Sequence, residues 1–180
     1  DKAGFKFYDR EIISLASQKS GIHEEHFESV EKKPTNSILY SVVMGMYSSR
    51  GAYVKLDDVL TDDKIYKVQA DIIRDIAAQG NCVFVGRCSD YILRNNEKCF
   101  NIFLRGDLND RVKRAMDEQN TSEAEAKKIV SRADKKRRSY YNYYTNREWG
   151  NINNYDIALN LSKISEKDAV DVILNYLEKV

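Results

Sequence analysis

The sequence is poor in proline and in cysteine. One proline, Pro34, and eight glycines in 180 residues exclude a collagen-like chain and a Pro/Gly-rich disordered one. The three cysteines, Cys82, Cys88 and Cys99, are an odd number with no Cys-x-x-Cys pair, so reduced thiols in a cytoplasmic protein are expected. No apolar run approaches the ~18 residues that would suggest a membrane span, and no signal-peptide stretch precedes Phe5. Neither sign of charge is in excess: 29 basic residues face 28 acidic ones, a net +1. Composition therefore gives nucleic acid and anionic membranes no general handle, and any basic site must be local. What is present is ordinary for a globular chain, with 42% hydrophobic and 32% charged residues. Its length is that of one domain, burying roughly 70% of its unfolded surface.

Strand and helix signals alternate along the chain. Phe5-Lys6-Phe7-Tyr8 reads as a strand. Asp9 to Lys19 then places Ile12, Ile13, Leu15 and Ala16 on one helical face, with Asp9 as an N-cap candidate and Gly21 as the stop. Residues 24 to 60 read as short helices around Pro34, forming an insertion with a Gly/Ser/Tyr-rich stretch from Gly45 to Tyr53. From Asp62, the stripe Ile65, Val68, Ile72 and Ile76, backed by Gln69 and Ile73, predicts a helix that ends at Gly80. Cys82-Val83-Phe84-Val85 and Phe100 to Leu104 are continuous apolar runs, the pattern of parallel strands covered on both faces. Asp107 to about Asn120 reads as a helix, and Ser122-x-x-Glu125 opens a longer one as a capping box. Tyr155 to Leu159 is a last strand. Ser165-x-x-Asp168 caps a terminal helix whose core face is Ala169, Val170, Ile173, Leu174 and Leu177. This alternation predicts an α/β fold with a parallel central sheet.

Charge is uneven along the chain. Eleven basic and six acidic residues lie between Arg111 and Gly150, and most of the excess sits in Arg132-Ala133-Asp134-Lys135-Lys136-Arg137-Arg138, followed by Ser139 and a tyrosine-rich turn. Such a run suits a solvated helix face. It also suits single-stranded nucleic acid, whose bases stack on rings, or a small polyphosphate gripped by arginine forks. A second signal is Val85-Gly86-Arg87-Cys88-Ser89-Asp90-Tyr91. In an open α/β sheet, ligands lie beyond the carboxyl ends of the strands, where a glycine admits close approach and the next arginine can enter the crevice. Arg87 could equally pair with a structural acid. Asp9 and Arg10 follow the first strand at the equivalent edge.

Together these segments, from Phe7-Tyr8-Asp9-Arg10-Glu11-Ile12-Ile13 through Val85-Gly86-Arg87 and Asp134 to Thr145, with Trp149-Gly150 and Tyr155-Asp156, resemble the cytidylate-kinase-like family of P-loop nucleoside monophosphate kinases. The resemblance implies a three-layer P-loop kinase fold: a central parallel sheet, helices on both faces and a basic helical lid at about 122–150, in one domain over 1–180. It implies ATP and Mg²⁺ as cofactors and small-molecule nucleotides as partners. The reaction it implies is phosphoryl transfer to a nucleoside monophosphate, CMP or dCMP. By the same resemblance Asp9, Arg10, Gly86, Arg87, Asp90 and Asp134 bind the acceptor, and Arg111 and Arg114 face the donor. Arg132, Arg137 and Arg138 are then the catalytic lid arginines. Phosphoryl transfer asks for such a set, because it rests on positioning and charge neutralisation and not on a side-chain nucleophile.

Two features depart from that pattern. No Gly-x-x-x-x-Gly-Lys-Ser/Thr occurs in these residues, and Val85 stands where cytidylate kinases proper carry an acidic residue that helps with the metal. The chain also opens on Asp1 and enters a strand almost at once. A further strand, phosphate loop and helix are therefore expected upstream, with a matching gap beside the strands at Phe5 and Cys82. Two alternatives keep the fold and change the activity: a non-catalytic nucleotide- or RNA-binding module, and a P-loop kinase of another small metabolite.

Overall fold

The computed structural model describes residues 4–32 and 62–179. The stretch from Gly45 to Tyr53 and most of the 24–60 insertion lie outside them. By contacts the chain divides into two compact units, one spanning Phe5–Leu93 and one formed mainly by Arg94 onward.

In the first unit, strand β1 (Lys6–Tyr8) leads into helix α1 (Glu11–Ser20), then α2 (Glu24–Lys32), α3 (Asp62–Ala77), strand β2 (Cys82–Phe84) and the short helix α4 (Ser89–Ile92). The stripe read from the sequence is the face α3 buries: Ile65, Gln69, Ala70, Ile72, Ile73 and Ile76. It meets Ile12, Ile13 and Ala16 of α1 and Phe27 of α2, and Ile12, Ala16, Phe27 and Ile73 are fully enclosed. Gly21 ends α1 in the left-handed conformation, φ +70°, and its N–H donates to the Ser17 carbonyl, as a glycine stop should. The start of α1 differs from expectation. Arg10 occupies the cap position and no side chain caps it, so the Asp9 carboxylate is available for another partner.

In the second unit, β3 (Ile102–Arg105) is followed by α5 (Leu108–Gln119), α6 (Glu123–Thr145), a 3₁₀ turn (Ile152–Asn154), β4 (Ile157–Asn160) and α7 (Glu166–Leu177). The turn between α5 and α6 is short, and Val112, Ala115, Ala126 and Val130 bury against one another across this helical hairpin. Ser122 caps α6 by accepting from the Glu125 N–H at 3.3 Å. Ser165 caps α7 by accepting from the Asp168 N–H at 3.1 Å. The predicted core face of α7 is only partly right: Ala169 is buried, while Val170 is 42% exposed. Trp149 and Tyr155 pack on Phe103 of β3, with ring centroids 5.8 and 4.8 Å away. These contacts tie the end of α6 back to the strand.

The strands are parallel, as the continuous apolar runs predict, but among the described residues they form two pairs. β1 pairs with β2 in the register Lys6–Cys82, Phe7–Val83, Tyr8–Phe84. β3 pairs with β4 from Ile102–Ile157 to Arg105–Asn160. Full coverage of both faces is not realised among the described residues: Phe7 is 58% exposed and Leu104 51%. Two-stranded pairs are marginal by themselves, and long apolar side chains on an open pair invite a further strand or helix.

Candidate anion-binding site

The carboxyl ends of β1 and β2 carry four of the residues singled out from the sequence. After Phe84 the backbone turns sharply. Gly86, Arg87 and Cys88 have φ of +68°, +53° and +56°, and the Ser89 N–H closes the turn on the Gly86 carbonyl at 3.0 Å. Nothing lies within 4 Å of where a Gly86 Cβ would stand, so glycine is required there by conformation and not by space. For Arg87 and Cys88 the left-handed region costs about 1 kcal/mol or more each. Strain of this kind survives only where surrounding contacts hold it.

One such contact is the Arg87 side chain. It is only 7% exposed and donates from Nη1 to Asp9 Oδ1 at 3.1 Å, while Asp9 is 46% exposed. The loop after β1 is pinned in turn by Glu11, whose Oε2 accepts from the Asp9 N–H at 3.0 Å. That hydrogen bond, with the nearby Arg87 charge as a lesser cause, lowers the Glu11 pKa below its ordinary value. The arrangement is a deeply held guanidinium whose partner carboxylate reaches solvent. An anion of higher charge can therefore exchange for, or share, the position of Asp9 without the arginine having to be desolvated anew. Arg10 is exposed at the same strand end and Asp90 is half-buried on α4. Tyr66, on α3, is raised in pKa chiefly by burial and secondarily by Cys88, Tyr91 and Asp90. Burial likewise raises the Cys88 thiol, with Asp90 adding to it, so Cys88 is a packed thiol and not a nucleophile.

The second unit gathers the other candidates on its helical hairpin. Arg111 Nη2 donates to Asp134 Oδ1 at 2.5 Å, and Arg137 Nη1 lies 3.5 Å from the same oxygen. Asp134 thus joins α5 to α6 and orients two arginines. Arg132 lies 3.8 Å from Glu125 and Arg114 lies 3.6 Å from Glu166, both as exposed pairs. Arg138 is exposed and makes no ion pair with a described residue. The arm is one continuous helix from Glu123 to Thr145, and acids on α6 itself moderate the mutual repulsion expected of its basic run. Tyr140 and Tyr141 are buried, so these two rings are packing elements and not a platform for bases.

A polar cluster at the carboxyl ends of β3 and β4 was not read from the sequence. The Asp107 N–H donates to Ser162 Oγ at 2.8 Å, and Asn160 Nδ2 donates to Asp107 Oδ1 at 2.9 Å. The Ser162 N–H donates to Asn160 Oδ1 at 3.1 Å. Lys163 and Arg105 lie 3.6 and 3.4 Å from the Asp107 carboxylate. The Asn160 hydrogen bond, followed by the Lys163 charge, lowers the Asp107 pKa. The signal that would have found it is the strand-end rule already applied to Gly86-Arg87.

Among the described residues no three His, Cys, Asp or Glu side chains gather as metal ligands, so they form no cage for Mg²⁺. Among the described residues, surface hollows also lie elsewhere, one lined by Leu15, Gln18, Lys19, Ile72, Asp75 and Ile76 and one by Ser17, His23, Glu24, Glu25 and His26. Neither contains an arginine, and both carry carboxylates, Asp75 in the first and Glu24 and Glu25 in the second.

A family model described as the cytidylate kinase-like family matches residues 1–163. The chain belongs to the cytidylate kinase-like family. A crystal structure of an uncharacterized protein from Eubacterium ventriosum ATCC 27560 is similar in fold, with a TM-score of 0.70 at 24% identity. The match covers 99% of this chain and 87% of that one. No curated protein matches. Membership of the family points to kinase-type nucleotide chemistry, and the α/β architecture with parallel strands is consistent with it.

Proposed function

We propose that this protein transfers the γ-phosphoryl group of ATP to a nucleoside monophosphate, CMP or dCMP, on a three-layer P-loop kinase fold. The observation that carries the proposal is the Arg87–Asp9 pair at the ends of two parallel strands, in a chain of the cytidylate kinase-like family. Arg87 binds the acceptor phosphate bidentately and Asp9 holds its guanidinium in place. Arg10, Gly86 and Asp90 complete that side.

Arg111 and Arg114 serve the donor nucleotide. Arg132, Arg137 and Arg138 spread positive charge over the transferring group from a lid at about 122–150, within a single domain over 1–180. ATP supplies the phosphoryl group, and Mg²⁺ neutralises part of its charge. The side chains named here bind, orient and exclude water, which is most of what such a transfer requires.

Titration calorimetry of the full-length protein tests the acceptor assignment. CMP and dCMP should bind more tightly than UMP, AMP and GMP, and Arg87→Lys should weaken them while leaving ATP unchanged. Equal, weak binding of all five monophosphates would remove the acceptor assignment.

A further inference from the structure

Arg111 is fixed at both ends. Its head meets Asp134. Its stem crosses Gly106: a Cβ added there would stand 3.3 Å from Arg111 Cγ and 3.6 Å from Cδ, with Ser162 Oγ 3.5 Å away. Gly106 is therefore the floor of the slot in which the stem lies, and Ser162 Oγ borders that floor. Ser162 belongs to the turn after β4 and Gly106 to the turn after β3, and the strand pairing runs up to both, with the Leu161 N–H donating to the Arg105 carbonyl at 2.8 Å. Asp107 adds to that link. Its N–H binds Ser162, its carboxylate accepts from Asn160 and faces Lys163, and its carbonyl accepts the Arg111 N–H at 3.1 Å as the first helical bond of α5.

We propose that Asp107 is the positioning residue of the donor side: it fastens the turn after β4 to the start of α5 and so holds the slot in which Arg111 lies. The proposal rests on the assignment of Arg111 to the donor nucleotide. Asp107 need not touch the nucleotide. Its carboxylate is already engaged by Asn160, with Lys163 and Arg105 beside it, and a further anion there would meet its negative charge. Loss of the carboxylate frees Lys163 and Asn160, whose Oδ1 holds the Ser162 N–H, and leaves the Ser162 turn tied to Asp107 through the main-chain N–H alone.

The test compares full-length wild type, Asp107→Ala, Asp107→Asn, Arg111→Lys and the Asp107→Ala/Arg111→Lys double variant. It measures ATP affinity by calorimetry, KM for ATP and for CMP, kcat and thermal melting. Asp107→Ala should raise the KM and Kd for ATP about tenfold, the scale of one lost charge-assisted contact. KM for CMP should move less than about twofold. Asp107→Asn, which still accepts from Asn160, should recover most of the loss. The double variant should be less impaired than the product of the two single effects, because both act on one guanidinium.

Multiplicative effects in the double variant would overturn the proposal, as would an Asp107→Ala protein that melts early and loses both substrates equally. Wild-type protein that binds ATP with an indifferent Asp107→Ala removes the proposal alone. Wild-type protein that binds no ATP removes the donor assignment and the proposal with it.

Discussion

Asp134 on α6 holds Arg111 on α5 at 2.5 Å and lies 3.5 Å from Arg137 one turn along its own helix. A single carboxylate thereby sets the direction of two arginines from different helices. Asp134→Asn keeps the shape and removes the charge. The pair is partly exposed, so its loss should cost about 1 kcal/mol, or a melting temperature lower by roughly 2–4 °C for a chain of this length. The hairpin should persist, because Val112, Ala115, Ala126 and Val130 still bury against one another. Thermal melts and the far-ultraviolet circular dichroism of the variant check both parts.

The turn at Gly86-Arg87-Cys88 predicts an unusual substitution pattern. Cys88 is 3% exposed with φ +56°. Cys88→Gly relieves about 1 kcal/mol of backbone strain and gives up a small buried side chain, so its stability should change little. Cys88→Val adds bulk in the core and puts a β-branched residue in the left-handed region, and should destabilise by about 2–3 kcal/mol. Chemical denaturation of the two variants decides it; equal stability would mean that this turn is not held as described.

Glu11, Asp107 and Glu123 all have lowered pKa values, owing first to the Asp9 backbone N–H, to the Asn160 amide and to Lys127 respectively. A carboxylate with a folded pKa below its unfolded one stabilises fully above the unfolded value, here ordinarily 4.5, 3.8 and 4.5. It loses that contribution as pH falls through the folded value. Melting temperature should therefore hold between about pH 7 and pH 5.5 from these groups, and fall below about pH 4. Asp107→Asn should flatten part of the acid limb and leave the neutral plateau almost level. Melts across pH 3 to 7 give the answer.

How much could be read in advance varied by residue. The α3 stripe and the two serine caps were legible because helical periodicity and capping are local. Parallel pairing was legible from the apolar runs, but the partition into two pairs was not, since pairing partners are set by tertiary contact. Val170 was misplaced on a core face because periodicity shows which residues share a side, not what that side meets. At the candidate site, Gly86-Arg87 was found by the strand-end rule, whereas its link to Asp9 joins residues 78 apart in sequence. Asp107, Asn160 and Ser162 were missed for the same reason. Asp107 alone looked like a helix start, and only the fold brings Asn160 and Ser162 to it.

Gly106 offers a direct probe of the Arg111 stem. Its φ is unexceptional, so Gly106→Ala brings no left-handed strain, but the new methyl would lie 3.3 Å from Arg111 Cγ. The arginine must shift by a few tenths of an ångström. ATP affinity should fall severalfold while CMP affinity holds, and calorimetry with each nucleotide reads the difference.

The central claim is phosphoryl transfer, and it is tested most directly by incubating the full-length protein with ATP, Mg²⁺ and each of CMP, dCMP, UMP, AMP and GMP and following diphosphate formation. The account predicts transfer to CMP or dCMP well above the other three, with Arg87→Lys lowering kcat/KM for that acceptor about ten- to a hundredfold. No transfer to any of the five monophosphates would contradict it.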